Sequence, residues 1–294
     1  MQKVLGTTLI AVGAFLVVVA VLAQFYAPQR LMKTPLDVSS TTRLSGEGTL
    51  YAAGEGTTFP AKAVSITHAD SAKSDGEVVV FSNSTCLVKD EGSVPDCVSA
   101  DDPGNRLVTA GTDSFATDRH TAVAVNDPKY LPAEAGRHEG LVNKFPFQTE
   151  KKTYDFWNGT TDSLDKAEST GERRINGLTT YAFDVTVKDA PIEIAAGVPG
   201  TMTSDKTMWV EPVTGSIIDQ TEHQVRTTDE GDPVLDLSLR FTPETVAANV
   251  KAAKDNVSQL RLVSQIVPLA GYLLGIPFLL VGLFLQLRGK QKAS

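Results

Sequence analysis

The sequence predicts an α+β membrane protein in which two terminal transmembrane helices flank a mainly antiparallel-β extracytoplasmic domain, with a long helix leading into the second span. Two observations set the helices. Residues 4–29 and 262–287 are each twenty-six residues long without a charge, and at about 1.5 Å rise per residue each exceeds the roughly 30 Å hydrocarbon layer. A third sets the middle, where short β-branched runs alternate with polar residues between Gly, Asn and Pro turns.

Lys3 and Arg30 bracket the first run, leaving residues 1–3 as a tail. Gly6 and Gly13 stand seven residues apart rather than four, a weak signal for helix association. Val21-Leu22-Ala23 before Gln24 has the small-residue pattern of a cleavage site. The apolar run nevertheless continues through Phe25, Tyr26 and Ala27, longer than a usual signal core, so a retained anchor is expected. Pro28 marks an interfacial exit, and with Pro35 it predicts an extended stalk through Val38.

The exported domain is expected over 30–241. Its first part, to about Val125, is rich in Gly, Ser, Thr and Asp, with the clearest strands at Glu77–Phe81 and Thr121–Val125 and a turn at Asp101–Asn105. Cys86 and Cys97 are the only cysteines. In an exported domain the pair predicts a disulfide, a local clasp contributing about 2–3 kcal/mol.

The most individual stretch runs from Gly140 to Trp157. Phe145, Phe147, Tyr154, Phe156 and Trp157 put five aromatics into thirteen residues of a chain that is 7% aromatic. Such a density marks a packing centre or the lining of an apolar cavity. With Tyr181 and Phe183 these are the ligand-cavity candidates. Asn176-Gly177 is a type I′ turn signal, and Tyr181, Phe183, Val185 and Val187 alternate along the strand after it. Further strands at 207–211, 216–226 and 234–241 complete an antiparallel meander.

Thr242-Pro243-Glu244 then reads as an N-cap, a first-turn proline and an acid at a helix N-terminus. Val246, Val250, Ala253, Val257 and Leu260 form an apolar seam along a juxtamembrane helix over 242–261, expected to pack against the protein's own sheet. The second span follows over 262–287, with kinks expected at Pro268 and Pro277, and 288–294 form the second tail.

All 35 acids lie in residues 31–260, against 21 of the 27 Lys and Arg, a formal charge of −14 for the middle of the chain. That balance repels phosphate backbones and excludes nucleic acid as a partner. The short tails carry Lys3 at one end and Arg288, Lys290 and Lys292 at the other. The positive-inside tendency then puts both termini in the cytoplasm and residues 30–261 outside the plasma membrane.

No metalloprotease, nucleophile-elbow, P-loop or dinucleotide fingerprint is present, and the four histidines have no ligand spacing, so neither a metal nor a cofactor is expected. Asp118-Arg119-His120 and His138-Glu139 read as surface or structural groups. A transmembrane β-barrel would need many lipid-facing strands and no long apolar helices. This sequence has the opposite pattern.

Pro35-Leu36-Asp37-Val38, Asp118-Arg119-His120-Thr121-Ala122, Glu139-Gly140-Leu141, Lys144-Phe145-Pro146-Phe147, Thr149–Tyr154 with Trp157, and Asn176–Phe183 together resemble an actinobacterial membrane-protein family of unknown function, labelled the porin PorA family. The resemblance spans almost the whole chain and carries over no catalytic residues. It implies a cell-envelope protein in a family linked to building or trafficking envelope lipids and lipoglycans. The two-anchor plan is also similar, in architecture alone, to CD36-type ectodomains, which enclose a lipid tunnel.

The resulting expectation is a non-enzymatic envelope protein, held in the lipid bilayer beside a membrane transporter, whose exported domain binds or shuttles an amphiphilic envelope lipid or lipoglycan precursor. The alternatives are a non-catalytic structural or regulatory partner of an envelope transporter or synthase, and an envelope hydrolase or transferase with a carboxylate pair that sequence cannot show.

Overall fold

The computed structural model describes residues 2–291. It resolves into a sheet unit, Thr34–Lys254, and a helical unit made from the two ends of the chain. Lys292, and the side chains of Lys3 and Lys290 on which the tail charges rest, lie outside the described residues.

The sheet unit has ten strands: β1 (Ser39–Ala52), β2 (Glu55–Ala69), β3 (Val78–Lys89), β4 (Leu107–Asp118), β5 (Tyr154–Asn158), β6 (Ser163–Ile175), β7 (Leu178–Ala195), β8 (Val198–Glu211), β9 (Ser216–Thr228) and β10 (Pro233–Phe241). Their order is β4-β3-β2-β1-β10-β9-β8-β7-β6-β5, all antiparallel, and the sheet curls into a half-barrel. Every neighbour in space is a neighbour in sequence except at the centre, where β1 meets β10. The chain therefore enters at Ser39 and leaves at Phe241 at one end, called the base below. The turns after β1, β7 and β9 lie at the opposite end.

Strand alternation sends one set of side chains to the inner face. Phe183 on β7 stands opposite Met208 on β8, and Leu237 on β10 opposite Gly48 on β1. The expected alternation of Tyr181, Phe183, Val185 and Val187 is observed, with the last three buried. β1 and β2, 14 and 15 residues long, are the longest of the strands that sequence reading missed; β4 and the short β5 are others. Gly46 and Gly48 interrupt the pattern in β1, and the reason is packing: a Cβ on Gly48 would stand 2.6 Å from the Phe59 ring that lies across it.

Thr121–Val125 is not the strand expected from its β-branched residues. It makes isolated bridges only, Thr117 to Ala124 and Val123 to Leu141, while Leu141 bridges on to Phe156 of β5. The Ala124 amide donates to the Gly140 carbonyl at 2.8 Å, and the Leu141 amide to the Asp155 carbonyl at 2.8 Å. The segment thus links the two outer edges of the sheet near the base.

Helix α3 (Pro243–Arg261) starts on the expected cap, with the Thr245 amide donating to Thr242 Oγ1 at 3.2 Å. Val246, Val250 and Ala253 pack on Ile175, Leu178, Ile218 and Trp209, as the apolar seam predicted. Asn249 Nδ2 and Lys254 Nζ bond the carbonyls of Ile217 and Asn176 at 3.2 and 2.7 Å.

The helical unit contains α1 (Gln2–Val21), a π turn (Leu22–Tyr26), α2 (Ala27–Leu31), the last turns of α3, a second π turn (Leu262–Ile266) and α4 (Val267–Gln291). Helix rather than stalk therefore continues past Pro28. Each π turn ends two residues before a proline, Pro28 or Pro268, and widening the turn relieves the carbonyl that proline cannot satisfy. Pro277 lies inside α4 without such a turn.

Gly6 and Gly13, a weak signal in sequence, are contact points between α1 and α4. A Cβ on Gly13 would stand 2.8 Å from the Gly275 carbonyl oxygen, and one on Gly6 would stand 3.1 Å from that of Gly282. Seven-residue spacing serves here because the pair is antiparallel and close packed. Gln286 Nε2 donates to Thr7 Oγ1 at 3.0 Å near one end, and Tyr272 Oη to Gln24 Oε1 at 2.9 Å near the other.

The disulfide forms between Cys86 and Cys97, with Cα atoms 5.7 Å apart. Phe145 has no exposed surface and is the centre of the base. Chemical denaturation of the detergent-solubilised chain should show Phe145→Ala losing about 3–5 kcal/mol and Cys86→Ser about 2–3 kcal/mol. A loss under about 1 kcal/mol for Phe145→Ala would mean the base is not packed as described.

Candidate functional site

The seven aromatic candidates separate into groups. Phe145 and Phe183 are wholly buried with ring centroids 4.5 Å apart, Tyr154 meets Phe145 edge-on at 5.5 Å, and Phe156 stacks on it at 5.4 Å. Tyr181 packs on the edge of this cluster. Phe147 stacks on His120 at 5.9 Å. These six are packing groups, and Trp157 is the member that lines the main cleft.

That cleft has a volume of about 890 Å³. It lies where the outer edges of the sheet face each other beyond the bridges at the base. One wall is Asn83 and Thr85 of β3 with Gly111–Asp113 of β4. The other is Trp157–Thr160 with Asp162–Leu164 of the β5–β6 turn, while Gly136–Glu139 and Lys206 of β8 complete it. Its lining is polar, unlike the apolar tunnel that the CD36-type plan implies.

His138 is the best-defined group in it. Nε2 lies 2.8 Å from Asp113 Oδ2 and Nδ1 lies 3.0 Å from the Gly136 carbonyl oxygen, so both ring nitrogens face acceptors. Asn126 holds its backbone on both sides, donating to the His138 carbonyl at 2.6 Å and accepting from its amide at 3.1 Å. The ring sits between Phe115 and Trp157, with centroids at 5.6 and 5.2 Å. Burial alone would lower the His138 pKa. The hydrogen bond and charge of Asp113, with the Gly136 carbonyl, outweigh it and raise the pKa above its ordinary value.

Trp157 supplies an apolar plate, and its buried indole N–H has no hydrogen-bond partner among the described residues. It lies beneath the cleft wall, since a Cβ on Gly159 would stand 3.9 Å from Nε1. An unpaired buried donor costs about 1–3 kcal/mol. Lys206 is paired with Glu222 at 3.3 Å, both mostly buried. Asn158 Nδ2 donates to Asp165 at 2.7 Å. Asn83 Nδ2 donates to the Ser65 and Thr67 hydroxyls at 2.9 and 2.8 Å.

A second depression, about 720 Å³, runs across β7–β10 and β1. Its polar groups already satisfy one another, Thr186 with Asp205 at 2.9 Å and Thr207 with Asp184 at 2.7 Å. It offers a ligand less.

Sequence reading noted His138 only as a neighbour of Glu139, and singled out none of Asn83, Asp113, Asn158 and Lys206 as a ligand-site residue. These come from separate segments that meet only through sheet topology. Lys206 had a usable signal. It stands where the apolar alternation Met202, Met208, Val210 would place an inner-face side chain, and a charge there marks an interior polar site.

Because the folded pKa of His138 is raised, its stabilising contribution is full below about pH 6.5 and is lost as pH rises through the folded value. Urea midpoints should therefore fall over that window in the unmodified chain, and the slope should flatten in His138→Gln and in Asp113→Asn. Equal slopes in all three would contradict the assignment.

The sequence profile of the Porin PorA family matches residues 5–284. A protein described as Porin PorA from Corynebacterium amycolatum is 27% identical over 228 residues, covering 64% of this chain and 58% of that one. The chain thus spans under two thirds of that relative's length. A DUF1329 family protein from Desulfovibrio piger, known from a crystal structure, aligns over 80% of this chain and 91% of its own at 11% identity, with a TM-score of 0.18 that supports no structural argument. The match over residues 5–284 establishes the family, and the chain belongs to the Porin PorA family of membrane proteins.

Proposed function

We propose that the two apolar helices cross the plasma membrane with both termini cytoplasmic, and that the sheet unit stands outside as a non-enzymatic receptor for the polar headgroup of an amphiphilic envelope lipid or lipoglycan precursor. The single observation that carries the ligand is the polar cleft around Trp157, His138 and Asp113. Its volume falls in the usual range for small-ligand sites, roughly 300–1,000 Å³. Hydroxyl-rich chemistry suits a site that mixes an aromatic plate with hydrogen-bonding side chains. An acyl chain does not, because burying these polar groups against hydrocarbon leaves them unpaired.

The topology has its own support. The helical pair exposes large apolar side chains, Phe15 at 66% and Leu273 at 65% among them, which is costly in water and natural in lipid. The outer face of the sheet carries exposed Glu47, Asp205, His223 and Arg240, charges a lipid-facing barrel wall would not tolerate. A disulfide suits an oxidising compartment. Binding without catalysis is favoured because both nitrogens of His138 are already engaged. In this reading a membrane transporter neighbours the domain and receives or delivers the ligand.

Trp157 and Trp209 are the only tryptophans, so Trp209→Phe leaves Trp157 as the sole indole reporter. Titrating that variant with headgroup oligosaccharides released from envelope glycolipids should give a saturable change in emission, lost in Asp113→Asn. Mass spectrometry of the purified full chain should find glycolipid retained. No change in emission together with no retained lipid would refute the reading.

A further inference from the structure

Arg119 and Lys144 belong to the two stretches, Asp118-Arg119-His120 and Lys144-Phe145-Pro146-Phe147, that the polar cleft leaves unexplained. The fold brings them together at the base around Thr34. Arg119 Nε donates to the Thr34 carbonyl at 2.7 Å, and its Nη1 reaches the carbonyls of Asp75 and Gly76 at 3.2 and 3.3 Å. Lys144 Nζ donates to Thr34 Oγ1 at 3.3 Å and lies 3.9 Å above the Phe147 ring.

Neither cation has a carboxylate partner among the described hydrogen bonds and ion pairs. Two of the neighbouring acids are committed elsewhere. Asp75 accepts from Lys129 at 2.6 Å and Tyr130 at 2.8 Å, and Asp118 caps the amides of His120 and Thr121 at 2.9 and 2.7 Å. Lys144 is fixed in place, because the next amide, of Phe145, donates to the Gly215 carbonyl at 2.9 Å. A partly buried ammonium held by one hydroxyl and an aromatic face lacks the counter-charge that desolvation calls for.

We propose that Arg119, Lys144 and the Thr34 hydroxyl form a site for the phosphate of an anionic lipid headgroup. Phosphate fits because Arg and Lys at one spot supply donors to an oxyanion without an acid to compete. The membrane is the source because Thr34 stands three residues after Leu31, where helix α2 ends, and Arg30 and Lys33 lie in that same stretch. Juxtamembrane cations are drawn to anionic headgroups. Burial brings the Lys144 pKa down to about 8, and a bound phosphate would restore the charged form. This site is independent of the headgroup cleft.

The pH dependence of Lys144 acylation, read by peptide mass spectrometry on the full chain, tests it in three media: phosphate-free maltoside micelles, the same micelles with millimolar inorganic phosphate, and phosphatidylglycerol nanodiscs. The midpoint should lie near 8 in micelles and rise by about one unit or more in nanodiscs only, with the rise reduced in Arg119→Met. An unchanged midpoint in nanodiscs overturns the proposal. An equal rise with free phosphate overturns the lipid as its source. The unmodified chain decides both outcomes even where Arg119→Met folds poorly.

Discussion

The antiparallel pairing of β1 with β10, seven residue pairs from Leu44–Phe241 to Leu50–Leu235, is the contact on which the sheet unit depends. It is the one pairing between strands far apart in sequence. Without it there would be a four-stranded meander and a six-stranded one, each with two open edges. With it, the first and last strands of the domain become the centre of one sheet, so the chain begins and ends side by side at the base. The outermost strands, β4 and β5, come to face one another as the sheet curls.

That arrangement leaves one problem, two unpaired edges, and the long connection between β4 and β5 resolves it near the base. The bridges through Ala124 and Leu141 supply the missing hydrogen bonds there. Phe145 fills the space behind them, tied to the β8–β9 turn through Gly215. Beyond the bridges the edges remain apart and their side chains are polar. The same connection therefore packs the base, shapes the cleft through Gly136–Glu139, and carries Arg119 and Lys144 to Thr34. One aromatic-rich segment thus closes the fold and equips it.

Legibility in the sequence followed the range of each interaction. Local signals were reliable: the uncharged runs, the Asn176-Gly177 turn, the Thr242 cap with its apolar seam, and the disulfide, whose cysteines lie close in sequence. β1 and β2 were obscured because Gly46, Gly48 and exposed Ser and Thr positions answer to a neighbouring strand rather than to strand propensity. Thr121–Val125 has strand composition but bridges two edges. Gly6 and Gly13 acquire meaning only from Gly275 and Gly282, which lie more than 250 residues away. The cleft was the least visible feature, since Asn83, Asp113, His138, Asn158 and Lys206 share no motif and are assembled by sheet order alone.

The account stands on the cleft between β4 and β5–β6 being where a ligand enters the domain. Hydrogen exchange of the full chain, with and without headgroup oligosaccharide, tests that most directly. Slowed exchange on both walls together, Leu107–Asp113 and residues 158–164, is the predicted result. Unchanged exchange on both walls, with protection appearing across β7–β10 instead, would contradict it and move the site to the opposite face of the sheet.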